Sequence, residues 1–376
     1  VRTSGSPDTA DIVIVGGGIA GLAAAVGLAE HRAGSILLLE QESEPGRHST
    51  ARNASLLLQH TEDPIAARLA MASRPFYAEL AAGEAARFRP VGSLLLFSGS
   101  NAIGTGHARV AAARELGLDV EQLTPGAAAR RVPILDASRF QSAAFCASDG
   151  VIEIGATVHA LTRRAERAGI TIRCGVHVDA IMTAGDRVTG VATTVGPMTA
   201  GLVVIAAGAA ASPLGTTIGA PLPLRVTRRH LAVTEPWNAV DASWPFVWDL
   251  DAGFYFRPET GGLMLCPCDV VDAPDGDIGV RPETVAATRE MVARLIPSAR
   301  DLSIANAWAG LRTLTPDDRF VIGPDPRLAG LAWLVGLGGH GMAGGPAAGQ
   351  MLAQLLTGAS KTVVEPATVG VSRFLA

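Results

Sequence analysis

A glycine-rich turn between a strand and a helix is the first feature of this chain that could do chemistry. Asp11-Ile-Val-Ile-Val15 is apolar on both faces, as a buried parallel strand is, and Gly16-Gly17-Gly18-Ile19-Ala20-Gly21 follows it. The alanine-rich stretch Leu22 to His31 then reads as a helix, and a second buried strand, Ile36 to Leu39, ends at Glu40, nineteen residues after Gly21. Strand, glycine turn, helix and strand with an acid at its end is the context in which this spacing binds a dinucleotide. Gly16 permits the tight turn, Gly18 and Ala20 let a pyrophosphate approach the main chain, and Gly21 lets helix and strand close up. The helix N-terminus offers free N–H groups and a partial positive charge to the phosphates, while Glu40, with Gln41 beside it, accepts hydrogen bonds from the adenosine ribose.

Two further segments narrow the dinucleotide to a flavin. Thr315 to Gly323, followed by Gly336-Leu-Gly-Gly-His-Gly-Met342 at the head of a helix, resembles the C-terminal flavin-binding segment of the D-amino-acid oxidase superfamily of FAD-dependent oxidoreductases. Glu44-Pro-Gly-Arg-His-Ser-Thr-Ala-Arg-Asn-Ala-Ser55 is similar to the flavin loop of its D-arginine dehydrogenase, glycine oxidase and sarcosine oxidase members. Val178, Ala206-Ala207-Gly208, Arg228-Arg229, Phe254-Tyr255-Phe256 and Trp308-Ala-Gly-Leu-Arg312 fall in the family's order, so the resemblance extends, at low identity, over nearly the whole chain. It implies that His48, Ser49, Thr50, Arg52, Asn53 and Ala54 touch the cofactor, with Val178, Ala207 and Gly208. It also implies that Gly338, Gly339, His340, Gly341 and Met342 aim a helix N-terminus at the pyrimidine end of the flavin, where reduction places negative charge.

The same resemblance implies that Arg312, Tyr255 and Arg229 bind a substrate carboxylate, with Arg228 as the alternative to Arg229. A guanidinium fork and a phenol can hold a carboxylate and fix the neighbouring carbon, and on a strand Phe254 and Phe256 face away from Tyr255. The reaction implied is oxidation of the amine of a D-amino acid or an N-substituted glycine to an imine, by hydride transfer to flavin N5. Oxidation of a 2-hydroxy acid on the same scaffold, or a binding protein that keeps the fold without redox work, are the alternatives. Departures from the family refine this reading. The acid that holds a guanidinium substrate falls at Gly92, and polar lid positions fall at Leu56 and Thr61, so an apolar substrate group is expected against Leu56, Leu57 and Leu58. The flavin-tethering cysteine of sarcosine oxidase falls at Gly310, so FAD is expected to be non-covalent. That enzyme's oxygen-activating lysine falls at Ala343, and the one lysine, Lys361, lies beyond the final helix; the acceptor is oxygen or a quinone or dye, with oxygen the slower.

Around these segments the pattern alternates between nucleotide-domain signatures and strand-rich stretches. The expected fold is α/β: a Rossmann-type FAD-binding domain over 10–85, 150–215 and 313–370, interleaved with an α+β substrate domain over 86–149 and 216–312 on a largely antiparallel sheet. Strands are expected at Ser93 to Phe97, Ile170 to Arg173, Leu202 to Ala206 and Leu331 to Leu337, with a hairpin from Val178 to Val195 and antiparallel strands from Leu222 to Cys268. Helices are expected up to about Gly83, and over Val110 to Leu116, Thr124 to Arg131, Ile154 to Ala168, Pro282 to Leu295 and Gly344 to Leu356, the last closed by Gly358. Residues 1–9 read as a loose tail.

Composition excludes several classes. A hydrophobic content of 48% over 376 residues describes a well-buried globular chain, and a net charge of −4 without a basic stripe argues against nucleic acid. No apolar run is long enough to span a membrane: Ile12 to Leu28 comes nearest and is broken by five glycines. Without an export signal, the cytoplasm is the expected location. Cys146, Cys174, Cys266 and Cys268 are too few and too unevenly spaced for a disulfide framework and read as buried small hydrophobes, with no metal site.

Overall fold

Thr9–Val15 runs into the glycine turn, and Ile19–Glu30 is the first helix. The chain is described from a computed structural model over residues 8–81, 88–274, 276–359 and 361–375. The expected tail therefore lies outside the described residues up to residue 7, as does the end of the helical stretch expected near Gly83. Thr9–Val15 pairs in parallel with Ile36–Glu40 on one side and Gly196–Ile205 on the other. Thr171–Cys174 extends the sheet beyond Ile36–Glu40, and Leu331–Val335 extends it beyond Gly196–Ile205, both in parallel. An antiparallel hairpin of Val178–Ala184 and Arg187–Thr193, together with Val321–Pro324, completes eight strands. The central strands are buried on both faces, which is why they read as unbroken apolar runs.

The first helix and the last, Gly341–Thr357, each follow a parallel strand and cross in close contact. A Cβ on Gly349 would lie 2.3 Å from the carbonyl carbon of Ala23. Pro346 interrupts the last helix and has no N–H for the carbonyl of Met342. Two side chains of the helix Pro64–Ala81 repair the break. The Tyr77 hydroxyl donates to the Met342 carbonyl, and Ser73 Oγ accepts from the Ala347 N–H at 3.0 Å. Burial holds the Tyr77 phenol far above its ordinary pKa, so it remains a donor. Tyr77→Phe is expected to strand that buried carbonyl and to cost about 1–3 kcal/mol. The measurement is the urea midpoint at unchanged slope; an unmoved midpoint would mean that Met342 finds another donor.

The second sheet has nine strands. In order they are Val271–Asp272, Arg225–Thr234, Gly262–Cys266, Phe254–Glu259, Phe246–Asp249, Ser93–Phe97, Ser142–Cys146 and Val120–Leu123, with Ile304–Leu314 also paired to Arg225–Thr234. All pairings are antiparallel except that of Phe246–Asp249 with Ser93–Phe97. The architecture is thus α/β, with a Rossmann-like sheet and a separate, mostly antiparallel sheet. A small third sheet joins Leu56–Leu57, Gly150–Ile152 and Phe88–Arg89.

Several boundaries differ from the sequence reading. Both site helices begin three residues before the expected start, at Ile19 and Gly341, because packing against neighbouring backbone rewards the small residues that helix propensity penalises. The strand Gly196–Ile205 extends N-terminally past Leu202, through small and mixed residues of which Gly196 to Thr199 pair with a hairpin partner. Ala102–Glu115 begins eight residues before the helix expected at Val110, in a segment with two glycines. Pro282–Leu295 and Ser93–Phe97 fall where periodicity puts them.

Candidate functional site

One cavity of about 690 Å³ runs past the N-termini of the first and last helices to the face of the second sheet. Glu40 and Gln41 line one end. The Glu40 carboxylate accepts from the Gly17 N–H at 2.7 Å and the Glu42 N–H at 2.9 Å, which fixes it and leaves lone pairs for hydroxyl donors. Next come Gly16, Gly18 and Ala20. Gly16 has φ +107°, and a Cβ there would lie 2.6 Å from the Ala206 carbonyl oxygen. Gly21 does not line the cavity: a Cβ on it would meet the Gly16 carbonyl oxygen at 1.8 Å, so its part is the close approach of helix and turn.

The loop after Glu40 wraps the cavity. Thr50 Oγ1 accepts from the Ile19 N–H at 3.0 Å and so caps the first helix from a distance, a role with no local sequence signal. Asn53 donates to the carbonyls of Ser49 and Thr50 and accepts from the Ser55 N–H, tying the loop to itself. His48 lies near the mouth beside Gln41 and Glu42, with Ser49 and Ala54 also on the wall. Arg52 is not on the wall; its carbonyl packs where a Cβ on Gly310 would stand, 2.2 Å away. On the opposite side lie Val178, Ala207 and Gly208, then the helix Ala211–Thr217 with Pro213 and Leu214, which sequence reasoning did not single out. Gly338, Gly339, His340, Gly341 and Met342 close the far end, with His340 at the cap of the last helix. Burial and the neighbouring Arg229 hold its imidazole below the ordinary histidine pKa, and so neutral.

Beyond them stand Arg312, Arg229 and Tyr255. Arg229 pairs with Gly310 across the antiparallel ladder, so Arg312, two residues further on, is its diagonal neighbour on the same face. Tyr255 pairs with Cys266 on that sheet, and its ring packs on Trp248 at 5.2 Å between centroids. Phe254 and Phe256 turn into the core on the other face, as alternation requires. Arg228 also faces away, to Asp277 at 3.0 Å and the Gly279 carbonyl at 2.7 Å.

Arg312 is 6% exposed, and among the described residues it donates only to the carbonyls of Leu311, at 2.9 Å, and Arg52, at 3.5 Å. Arg229 donates to the carbonyls of Asp269 and Cys268. Among the described residues no carboxylate lies within ion-pair distance of either guanidinium; burial holds Arg312 below its ordinary value, whereas for Arg229 burial is outweighed by Cys266, Tyr255, Cys268 and Asp269, which hold it above. A Cβ on Gly339 would stand 3.7 Å from Arg229 Nη1, so this cation reaches the mouth of the last helix. One buried and one part-buried guanidinium, with no carboxylate at ion-pair distance among the described residues, thus stand at the cavity's end.

The lid residues divide. Leu56 and Leu58 line the cavity, whereas Leu57 is fully buried in the core behind the first sheet. Gly92 is elsewhere: a Cβ there would meet the Phe145 ring at 2.6 Å. Trp248, missed in the sequence, completes the apolar wall. None of the four cysteines lines the cavity. Away from it, His60, Cys146 and Asp149 form one buried cluster in which Asp149 already accepts from Gln59 and Ser93.

The donor set fits a flavin dinucleotide. An acid lies at one end, bare main chain at a helix N-terminus follows, and a second helix N-terminus lies at the other end. The family model described as FAD dependent oxidoreductase matches residues 11–355. The chain is 25% identical to the pyruvate dehydrogenase phosphatase regulatory subunit, mitochondrial, of Mus musculus, over 93% of this chain and 41% of that protein. It is 27% identical to the 4-methylaminobutanoate oxidase (formaldehyde-forming) of Paenarthrobacter nicotinovorans, over 91% of this chain and 43% of that protein. It therefore spans less than half the length of these curated relatives. Among solved structures it is similar to the L-proline dehydrogenase from P. horikoshii, with TM-score 0.91 and 24% identity, over 98% of this chain and 99% of that one. That likeness is one of fold.

Proposed function

The chain belongs to the FAD-dependent oxidoreductase family of D-amino-acid oxidase type, with FAD as its cofactor, and from that premise we propose that it oxidises the amine of a small amino-acid-like substrate, a D-amino acid or an N-substituted glycine. The observation that carries this reading is a pair of cations: Arg312, buried, and Arg229, part-buried, neither with a carboxylate at ion-pair distance among the described residues, converge with Tyr255 beside the last helix. A substrate carboxylate supplies the missing counter-charge, and its fixed position presents the neighbouring carbon to the cofactor. When bound, FAD supplies the hydride acceptor. Glu40, the turn at Gly16 and Gly18, and the loop from His48 to Ala54 are the residues proposed to hold it, within a domain drawn from 10–85, 150–215 and 313–370. Residues 86–149 and 216–312 then present the substrate. At the clamp end the described lining residues include no carboxylate, so the amine enters in its neutral form. The names of the two catalytic relatives, which act on a methylamino acid and on proline, support a substituted nitrogen.

The test is anaerobic bleaching of the flavin by a panel of D-amino acids, N-methylglycine, proline and 2-hydroxy acids. Bleaching by hydroxy acids alone would overturn the amine reading.

FAD is expected to be non-covalent. No cysteine reaches the cavity, and the Arg52 carbonyl fills the space a side chain at Gly310 would need. Acid precipitation should leave the yellow colour in the supernatant, and colour in the pellet would point to His48 or His340 as a tether. Turnover with a quinone or dye should exceed turnover with oxygen, since Lys361 is exposed and away from the cavity while Ala343 lines it. Rapid stoichiometric hydrogen peroxide under air would contradict that.

A further inference from the structure

Cys266 and Cys268 stand behind the carboxylate clamp and take no part in it. Alternation puts Cys266 on the face of the sheet that carries Tyr255, its cross-strand partner, in a buried cluster with Leu231, Val233 and Met264. The strand stops at Cys266, and Cys268 has φ +48°, in the left-handed region that residues with a side chain rarely adopt. With the chain so turned, the Cys266 thiol lies beside both the Cys268 thiol and the Tyr255 hydroxyl, close enough to act on their ionisation. Arg229 Nη2 donates to the Cys268 carbonyl at 3.5 Å, so a guanidinium stands over the pair. Both cysteines are unpaired, Cys266 fully buried and Cys268 part-exposed.

We propose that Cys266 and Cys268 are a redox-active dithiol behind the clamp, closed to an intrachain disulfide by hydrogen peroxide. A thiolate sulfur of the pair attacks the peroxide, the O–O bond breaks, and hydroxide leaves to become water on taking a proton. The second sulfur then displaces the hydroxyl of the resulting sulfenic acid, again released as water, and the S–S bond forms. Two thiols lose two electrons and two protons, and one hydrogen peroxide becomes two waters.

The surroundings favour the first step. Burial pushes the Cys266 thiol up, but Cys268, the Arg229 guanidinium and Tyr255 outweigh it and bring the thiol down to about 7. Cys266 beside it, and burial, hold Cys268 far above its ordinary value, so the pair ionises once. Closing the bond takes the Cys266 thiol from Tyr255 and shifts the Cys268 carbonyl that Arg229 holds. The effect on carboxylate binding rests on the proposed function; the disulfide does not.

The experiment treats the FAD-loaded protein with hydrogen peroxide, blocks the remaining thiols by alkylation under denaturing conditions, and maps the peptides by mass. The peptide carrying Cys266 and Cys268 should lose two hydrogens, alkylatable thiols should fall from four to two, and dithiothreitol should reverse both changes. Acetate, followed by its perturbation of the flavin spectrum, should bind about tenfold more weakly after oxidation, the scale of one lost hydrogen bond to a charged group. Cys268→Ser should show no such response to peroxide. Both cysteines remaining alkylatable, or oxidation spread equally over Cys146 and Cys174, would overturn the dithiol. A disulfide that leaves acetate binding unchanged would overturn its link to the clamp.

Discussion

Arg312→Ala is expected to retain FAD and to lose about 3–5 kcal/mol of transition-state stabilisation, or roughly two to three and a half orders of magnitude in kcat/KM. The guanidinium is buried, it has no protein carboxylate among the described residues, and its protein contacts are carbonyls, those to Arg52 long at 3.5 Å. Such a group contributes little to holding the fold and much to an anion that arrives in its place. Removing it leaves a substrate carboxylate desolvated beside Arg229 and Tyr255 alone. Arg312→Lys should recover part of the loss, because it restores charge without the planar fork. Stopped-flow flavin reduction, normalised to FAD content, measures the effect. Near wild-type efficiency in the alanine variant would assign Arg312 to the structure of the Arg52 turn instead.

That Arg312 could be singled out at all shows which signals survive in one sequence. The glycine turn, its flanking buried strands and Glu40 form a local pattern, and each has its expected place because a parallel strand buried on both faces admits few alternatives. The proposed carboxylate clamp is different. Arg229, Tyr255 and Arg312 lie on three strands, and only the resemblance to a family groups them; the strand Ile304–Leu314, whose pairing brings Arg312 beside Arg229, carries polar and small residues that do not announce it. Trp248 escaped notice because its role depends on pairing with Tyr255 across a ladder. The early start of the last helix was hidden for a related reason. Its first turn is glycine and methionine, and it holds together through Tyr77 and Ser73, almost three hundred residues away in sequence, rather than through its own propensity. Arg228 and Arg229 are indistinguishable as letters, yet alternation sends one to Asp277 and the other to the cavity.

D-Arginine should be at least about a thousandfold poorer in kcat/KM than D-leucine or an N-alkylglycine, because a second cation in this cavity would lose its hydration without gaining a partner. The wall that decides this consists of Leu56, Leu58 and Trp248; Leu57 packs the core behind the first sheet and Gly92 stands away from the cavity, so neither contributes. Among the described lining residues the carboxylates are Glu40, at the opposite end, and Asp179, which pairs with His177. Of the acids outside the lining, Asp63 is held by Arg319 at 2.7 Å, and Asp251 accepts from the Ser98 N–H at 2.7 Å. Arg312 and Arg229 add repulsion to the missing attraction, since a guanidinium side chain would enter a site that already holds two positive charges. An aliphatic group instead gains about 0.8 kcal/mol for each methylene it buries against the leucines and the indole. Trp248→Glu offers the complementary change: it should narrow the gap by improving D-arginine and impairing D-leucine, whereas a mutation that merely loosened the pocket would lower both. Steady-state kinetics with a dye acceptor for the three substrates, on the wild type and this variant, measure the ratio directly, and a wild-type preference for D-arginine would mean that Glu62 or another acid swings into the cavity when substrate binds.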